Sequence, residues 1–170
     1  MNELPITEGI SSLNKKIIAW NQIEETKEDL ANKKIVFTNG CFDIIHRGHV
    51  EYLNRAKNLG DVLWLGLNSD ASVSKLKGSN RPINEQFDRA IVLAGLSCID
   101  FITIFPEETP IELLKKIKPD IHTKGGDYNP ETLPETQIVR SFGGIVKILP
   151  FVEGKSTTNT LKKLERTLGH

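Results

Sequence analysis

The sequence predicts a Rossmann-like α/β fold, an open parallel sheet of about five strands with helices on both faces. Three observations predict it. Short β-prone runs alternate with helical segments from residue 34 onward. The runs are continuously apolar rather than alternating, as expected of strands covered on both faces. The length, 170 residues with 38% hydrophobic and 26% charged side chains, suits one soluble domain with one core.

The elements follow in order. Residues 1–32 are polar and loosely periodic. Ile17, Ile18 and Ile23, with Trp20 among them, predict a short helical extension ahead of a domain over 33–170. That apolar stretch could be a homodimer contact or could cover the domain's own sheet. Ile35 to Thr38 is a buried strand ended by Asn39-Gly40. His49 to Leu59 has Val50, Leu53 and Ala56 at helical spacing, with Gly60 as a stop. Val62 to Leu67 is a second strand, and Asp88 to Leu96 a second helix. Phe101 to Phe105 is a third strand, stopped by Pro106. Pro110 to Ile117 fits a helix with proline in its first turn. Asp120 to Thr123 and Gly144 to Leu149 are the fourth and fifth strands. Ser156 to Leu168 closes the chain as an amphipathic helix.

Composition excludes several classes. Twenty-two basic and 22 acidic residues give zero net charge, which offers a nucleic-acid partner no global attraction. No apolar run approaches the roughly 20 residues of a membrane span. Met1 to Gly9 lacks the basic and apolar regions of a secretory signal. Cys41 and Cys98 are too few for a disulfide framework and lack zinc-site spacing. The expectation is a cytoplasmic protein with small-molecule substrates and no nucleic-acid or membrane partner.

In parallel sheets, ligands sit beyond the carboxyl ends of the strands near a switch in strand order. Chemistry is therefore sought in the loops after Phe37, Leu67, Thr123 and Leu149. The first of these reads Thr38-Asn39-Gly40-Cys41-Phe42-Asp43-Ile44-Ile45-His46-Arg47-Gly48-His49. Its two histidines, three residues apart, open a helix, where free N–H groups and the dipole favour anions. Two imidazoles there could donate further hydrogen bonds to phosphate, with Gly48 admitting a ligand to the backbone. An isolated HxxH could equally be two solvated loop histidines, and no glutamate completes a zinc motif. After the fifth strand, Gly154-Lys155-Ser156-Thr157-Thr158 opens the last helix, with Ser156 or Thr157 as cap and hydroxyls able to bind phosphate. Lys124-Gly125-Gly126-Asp127-Tyr128 follows the fourth strand, its glycines permitting close approach of a flat base. Lys75-Leu76-Lys77-Gly78, then Arg81-Pro82 and Arg89, follow the second strand. Read alone, these three are a helix cap, a turn and a solvated charge run. No GxGxxG follows the first strand, which disfavours a flavin-binding or electron-transfer protein.

The strand, turn and His46-Arg47-Gly48-His49 together resemble the HxGH signature of the nucleotidylyltransferase superfamily, and the other three segments match its motifs in order. The pattern resembles most closely the branch of heptose-1-phosphate adenylyltransferases. That resemblance implies transfer of AMP from ATP to D-glycero-β-D-manno-heptose 1-phosphate, giving ADP-heptose for bacterial lipopolysaccharide core assembly. It implies that His46 and His49 contact the α- and β-phosphates and transition state. Lys75 or Lys77, with Arg89, would stabilise pyrophosphate. Thr38 and the backbone of Asn39, Gly40, Cys41 and Phe42 would donate to phosphate. Lys124, Gly125, Gly126 and Asp127 would border adenosine, and Ser156, Thr157 and Thr158 would bind the far phosphates. Asp43 and Asn68 are the expected contacts to the sugar phosphate, although Asp43 could simply fix its loop. Mg²⁺ would ride on the triphosphate, with no direct protein ligand assigned. The lead Phe151-Val152-Glu153-Gly154 lacks the arginine usual in related cytidylyltransferases, unless Arg140 or Lys155 compensates. A glycerol- or polyol-phosphate cytidylyltransferase is the alternative enzyme, and a noncatalytic nucleotide-sensing module a third reading.

Overall fold

The computed structural model describes residues 10–150 and Thr167. The predicted closing helix, apart from Thr167, and the expected phosphate ligands Ser156, Thr157 and Thr158 lie outside the described residues. Five parallel strands are present: β1 Ile35–Gly40, β2 Val62–Asn68, β3 Phe101–Phe105, β4 Ile121–Gly125 and β5 Ile145–Leu149. Their spatial order is β3-β2-β1-β4-β5. The order reverses between β1 and β4, so a crevice opens beyond their carboxyl ends.

Strand residues alternate between two cores. Val36, Leu63, Leu65 and Ile102 pack against α3 (Arg47–Lys57) and α5 (Gln86–Ala94). Ile35, Phe37, Trp64 and Phe105 pack on the other face against α2 (Ile23–Glu28), α6 (Ile111–Ile117) and α7 (Pro134–Ser141). Gly66 of β2 is needed by that packing, since a Cβ there would stand 2.7 Å from the Phe37 ring.

Three aspartates fix the start of the sheet. Each directly precedes a strand and accepts a backbone N–H at the amino end of the neighbouring strand. Asp61 takes the Lys34 amide at 2.8 Å, Asp100 that of Leu63 at 2.7 Å and Asp120 that of Ile35 at 2.7 Å. Asp120, expected inside the fourth strand, therefore lies just before it, and β4 runs two residues further than expected, to Gly125.

Two helices lacked a hydrophobic period. In α4 (Asp70–Lys77) only Ser72 and Val73 are buried, and Ser69 caps it by accepting from the Ser72 amide. In α7 the buried residues are Glu135, Thr136 and Val139. Polar side chains turned inward hide the 3.6-residue pattern.

The amino-terminal segment has helical turns over 11–14, 20–22 and 23–28, with an extended stretch between the first two. After a short α1 (Ser11–Asn14), residues 16–18 run parallel beside β3, with Ile102 N–H bonded to Lys16 O and Ile18 N–H to Ile102 O. Trp20 then donates its indole N–H to Ile104 O at 2.9 Å. The stretch Ile17–Ile23 thus covers the sheet's own edge, and Ile23 is fully buried.

His122 of β4 is buried beneath the sheet, its Nδ1 3.3 Å from Phe37 O. Burial, reinforced by Lys124, depresses its pKa to about 4. Unfolded, it would titrate near 6.5, so between pH 6.5 and 4 the unfolded chain binds the extra proton. Stability is therefore expected to fall as pH drops through this window, by about 1.4 kcal/mol per pH unit from this group. Urea unfolding midpoints at pH 7 and 5 should show the loss, and His122→Gln should remove this group's share of it.

Candidate active site

The crevice at the end of β1 is built by backbone geometry first. A Cβ on Gly40 would fall 2.8 Å from the Phe42 ring, which folds back from a left-handed residue with φ 44°. The ring, now buried, meets His49 edge-on at 5.3 Å. His46 caps α3: its Nδ1 accepts the Gly48 N–H at 3.1 Å. His49 Nδ1 in turn accepts the His46 N–H at 3.3 Å. This capping starts the helix at Arg47, two residues before the expected start at His49. The rings stack with centroids 3.8 Å apart.

These bonds decide the protonation state. Each Nδ1 is an acceptor, so each neutral ring carries its proton on Nε2. Burial, then the charges at His46 and Lys77, lower the His49 pKa to about 4. His49 is therefore a neutral N–H donor at physiological pH. Lys77, exposed in the last turn of α4, is close enough to act on both His49 and Cys41, and Lys75 is exposed two residues before it.

Other expected contacts belong to the scaffold beneath. Arg89 is buried: Nε donates to Asn84 O at 3.0 Å and Nη1 to Cys41 O and Asn68 O at 2.5 and 2.9 Å. Nη2 meets Asp70 Oδ1 at 2.7 Å. It ties together three loops rather than projecting into the crevice. Asp43 is also buried and accepts from the Ile83 and Asn84 amides and Arg81 Nε. Burial would raise its pKa, but these donors outweigh it and hold the carboxyl below the usual range. Its carboxylate thus fixes the loop, the second of the two readings made for it. Asn68 donates to Ser72 Oγ at 2.9 Å and is likewise buried. Thr38 is enclosed, its hydroxyl 2.8 Å from the Tyr52 hydroxyl and 3.3 Å from Thr123 O. Burial pushes the Cys41 thiol up, so it stays protonated.

On the β4 side, Lys124 is held by Glu135 at 2.8 Å. Burial opposes ionisation of Glu135, but Lys124 keeps its pKa low. Gly126 has φ 129° and donates to Leu149 O, leaving Asp127 exposed beside it. The structure thus gathers His46, His49, Gly48 and the 39–42 backbone at one rim, with Lys77 near. Sequence reasoning did not single out Tyr52, Asp70 or Glu135. Tyr52 falls on the apolar face of α3 and looked like core, and Asp70 and Glu135 each sit in the first turn of a helix whose period was hidden.

Comparison with known proteins gives consistent matches. The chain is 54% identical over 142 residues to the bifunctional protein HldE of Geobacter metallireducens, covering 84% of this chain and 29% of that protein. It is 51% identical over 150 residues to the HldE of Campylobacter concisus, covering 88% and 31%. The chain thus spans less than a third of the length of these relatives. A lipopolysaccharide core biosynthesis protein from Thermoplasma volcanium superposes with a TM-score of 0.60 at 26% identity, covering 73% of this chain and all of that one. A pantoate-β-alanine ligase from Francisella tularensis shares the fold, with TM-score 0.59 at 15% identity, covering 91% of this chain and 80% of that one. Residues 37–162 match the cytidylyltransferase-like family, and the chain belongs to it.

Proposed function

We propose that this chain transfers AMP from ATP to D-glycero-β-D-manno-heptose 1-phosphate, forming ADP-heptose and pyrophosphate. The observation that carries nucleotidyl transfer is the stacked His46–His49 pair at the start of α3, beside the switch in strand order. The sugar rests on the motif resemblance and on relatives half identical in sequence. The Thermoplasma protein's part in lipopolysaccharide core biosynthesis fits the same product.

A phosphate monoester with a second pKa near 6 is largely dianionic at neutral pH and is itself the nucleophile. Its oxygen bonds to the α-phosphorus as the bond to the pyrophosphate oxygen breaks. No proton must be removed and no protein nucleophile is needed. The chain's task is alignment and charge stabilisation. The Nε2–H groups of His46 and His49 donate to oxygens on which charge grows. Lys77, the nearer of the two lysines to His49, faces the departing pyrophosphate, and Gly125, Gly126 and Asp127 border the base. Arg89 acts as a positioning residue through Cys41 O and Asn68 O. Mg²⁺ enters as part of the nucleotide substrate: the rim carboxylates Asp43 and Asp70 are already engaged by Arg81 and Arg89. A cytoplasmic setting, where ATP is abundant, accords with this reading. No described helix is long and apolar enough to cross a membrane.

The direct test is a matrix of ATP and CTP against heptose 1-phosphate and glycerol 3-phosphate, read by product mass. ADP-heptose is the expected product, and preferential CDP-glycerol formation would establish the cytidylyltransferase alternative. His49→Ala should lower kcat by about 10²–10³ through loss of one transition-state donor, in a variant that still folds. Cys41→Ser should retain turnover within a few-fold, since the thiol has no covalent task; loss of activity in a folded variant would contradict that. Arg89→Ala should differ in kind, lowering unfolding free energy by about 1–3 kcal/mol for each enclosed carbonyl left without its donor, Cys41 O and Asn68 O, measured by urea titration.

A further inference from the structure

The acceptor reading leaves the sugar without a site, because Asp43 and Asn68 are consumed by the scaffold. A groove of about 440 Å³ lies elsewhere on the same carboxyl-terminal rim, lined by Trp20, Ser69, Gln86, Ile104, Pro106 and Glu107. That volume falls within the roughly 300–1,000 Å³ of small-molecule sites. It sits at the end of β3, two strands from β1, a lateral offset of about 10 Å at normal strand spacing. A phosphate at the His loop and a polyol at β3 would be separated by this offset.

The lining is mostly apolar with a few hydrogen-bonding groups, which suits an uncharged moiety that has both a C–H face and hydroxyls. Trp20 is anchored through its indole N–H to Ile104 O, so its ring is a fixed wall against which the C–H face of a sugar can stack. Gln86 Oε1 accepts the Asp70 N–H at 3.0 Å, which leaves its amide NH₂ as a donor. Ser69 Oγ accepts from the Ser72 amide, which leaves its proton to give. Glu107 bonds Ser72 and Asn68 through its backbone carbonyl; its Oε2 is enclosed with no hydrogen-bond partner among the described residues, so Oε1 is the carboxylate oxygen open to a ligand. A carboxylate oxygen of this kind accepts from hydroxyls and repels phosphate. The described lining contains no lysine or arginine.

We propose that this groove binds the polyhydroxylated carbon skeleton of the acceptor, with Trp20, Gln86 and Glu107 as its specificity-determining contacts and the acceptor's phosphate lying toward the His loop. The proposal rests on the sugar-phosphate reading above for the acceptor class. The test uses intrinsic fluorescence and steady-state kinetics on the full chain. Of its two tryptophans, Trp64 is fully buried, so a ligand in the groove reports through Trp20. Heptose 1-phosphate without ATP should change the emission of the wild-type protein, and Trp20→Phe should abolish that change. Glu107→Gln and Gln86→Glu, the latter keeping the acceptor for Asp70, should each raise KM for the acceptor about tenfold, the worth of one hydrogen bond of roughly 1.4 kcal/mol, with KM for ATP unchanged. An unchanged acceptor KM in both folded variants, a rise confined to ATP, or a wild-type emission blind to the sugar phosphate would overturn the groove assignment. If the wild type uses a different acceptor, the heptose reading falls. The same variants assayed with that acceptor then judge the groove separately.

Discussion

The cap on α3 is the interaction on which the rim depends. His46 does what serine or aspartate does at most helix starts, accepting an orphan backbone N–H. Because an imidazole does it through Nδ1, the cap also fixes which nitrogen holds the proton. His49 repeats the arrangement against the His46 amide. A structural requirement and a protonation state are thereby set by the same two bonds. Desolvation beside a like-charged partner then keeps His49 neutral. Both rings are thus held in place by the fold itself, the preorganisation that the proposed transfer would use.

Arg89 provides the rigidity behind that cap. Its guanidinium reaches carbonyls in the β1–α3 loop, at the end of β2 and ahead of α5. Asp43 binds the first and last of these loops a second time through Ile83 and Asn84. Two buried charges, each with several partners, thus hold loops that carry little apolar surface. A lysine could not replace the guanidinium, since only a planar fork with five donors serves three loops at once.

Much of the fold was legible because the strands are apolar runs and the helices α3, α5 and α6 are amphipathic. All five strands fell where their composition placed them, within one or two residues. Residues 70–77 and 134–141 were not legible as helices, since Ser72, Glu135 and Thr136 turn inward and break the period. Trp20 and Ile17 gave an apolar signal whose meaning, an added edge segment, depends on β3 lying at the sheet's border. At the site, the His pair and the glycines were readable from spacing. The scaffold duties of Arg89, Asp43 and Asn68 were not, because a charged or amide residue in a loop looks the same in sequence whether it faces ligand or carbonyl.

The aspartates ahead of β2, β3 and β4 have a consequence for how the chain assembles. Parallel pairing is non-local and demands that distant segments meet before any contact rewards them. Each carboxylate acts as a peg that fits one amide on one neighbour. A strand slid along its partner by a residue or two would leave the peg and its amide unmatched. Misthreaded encounters are thus discarded early, and the alignment that survives is the one that brings the His loop level with the ends of its neighbours.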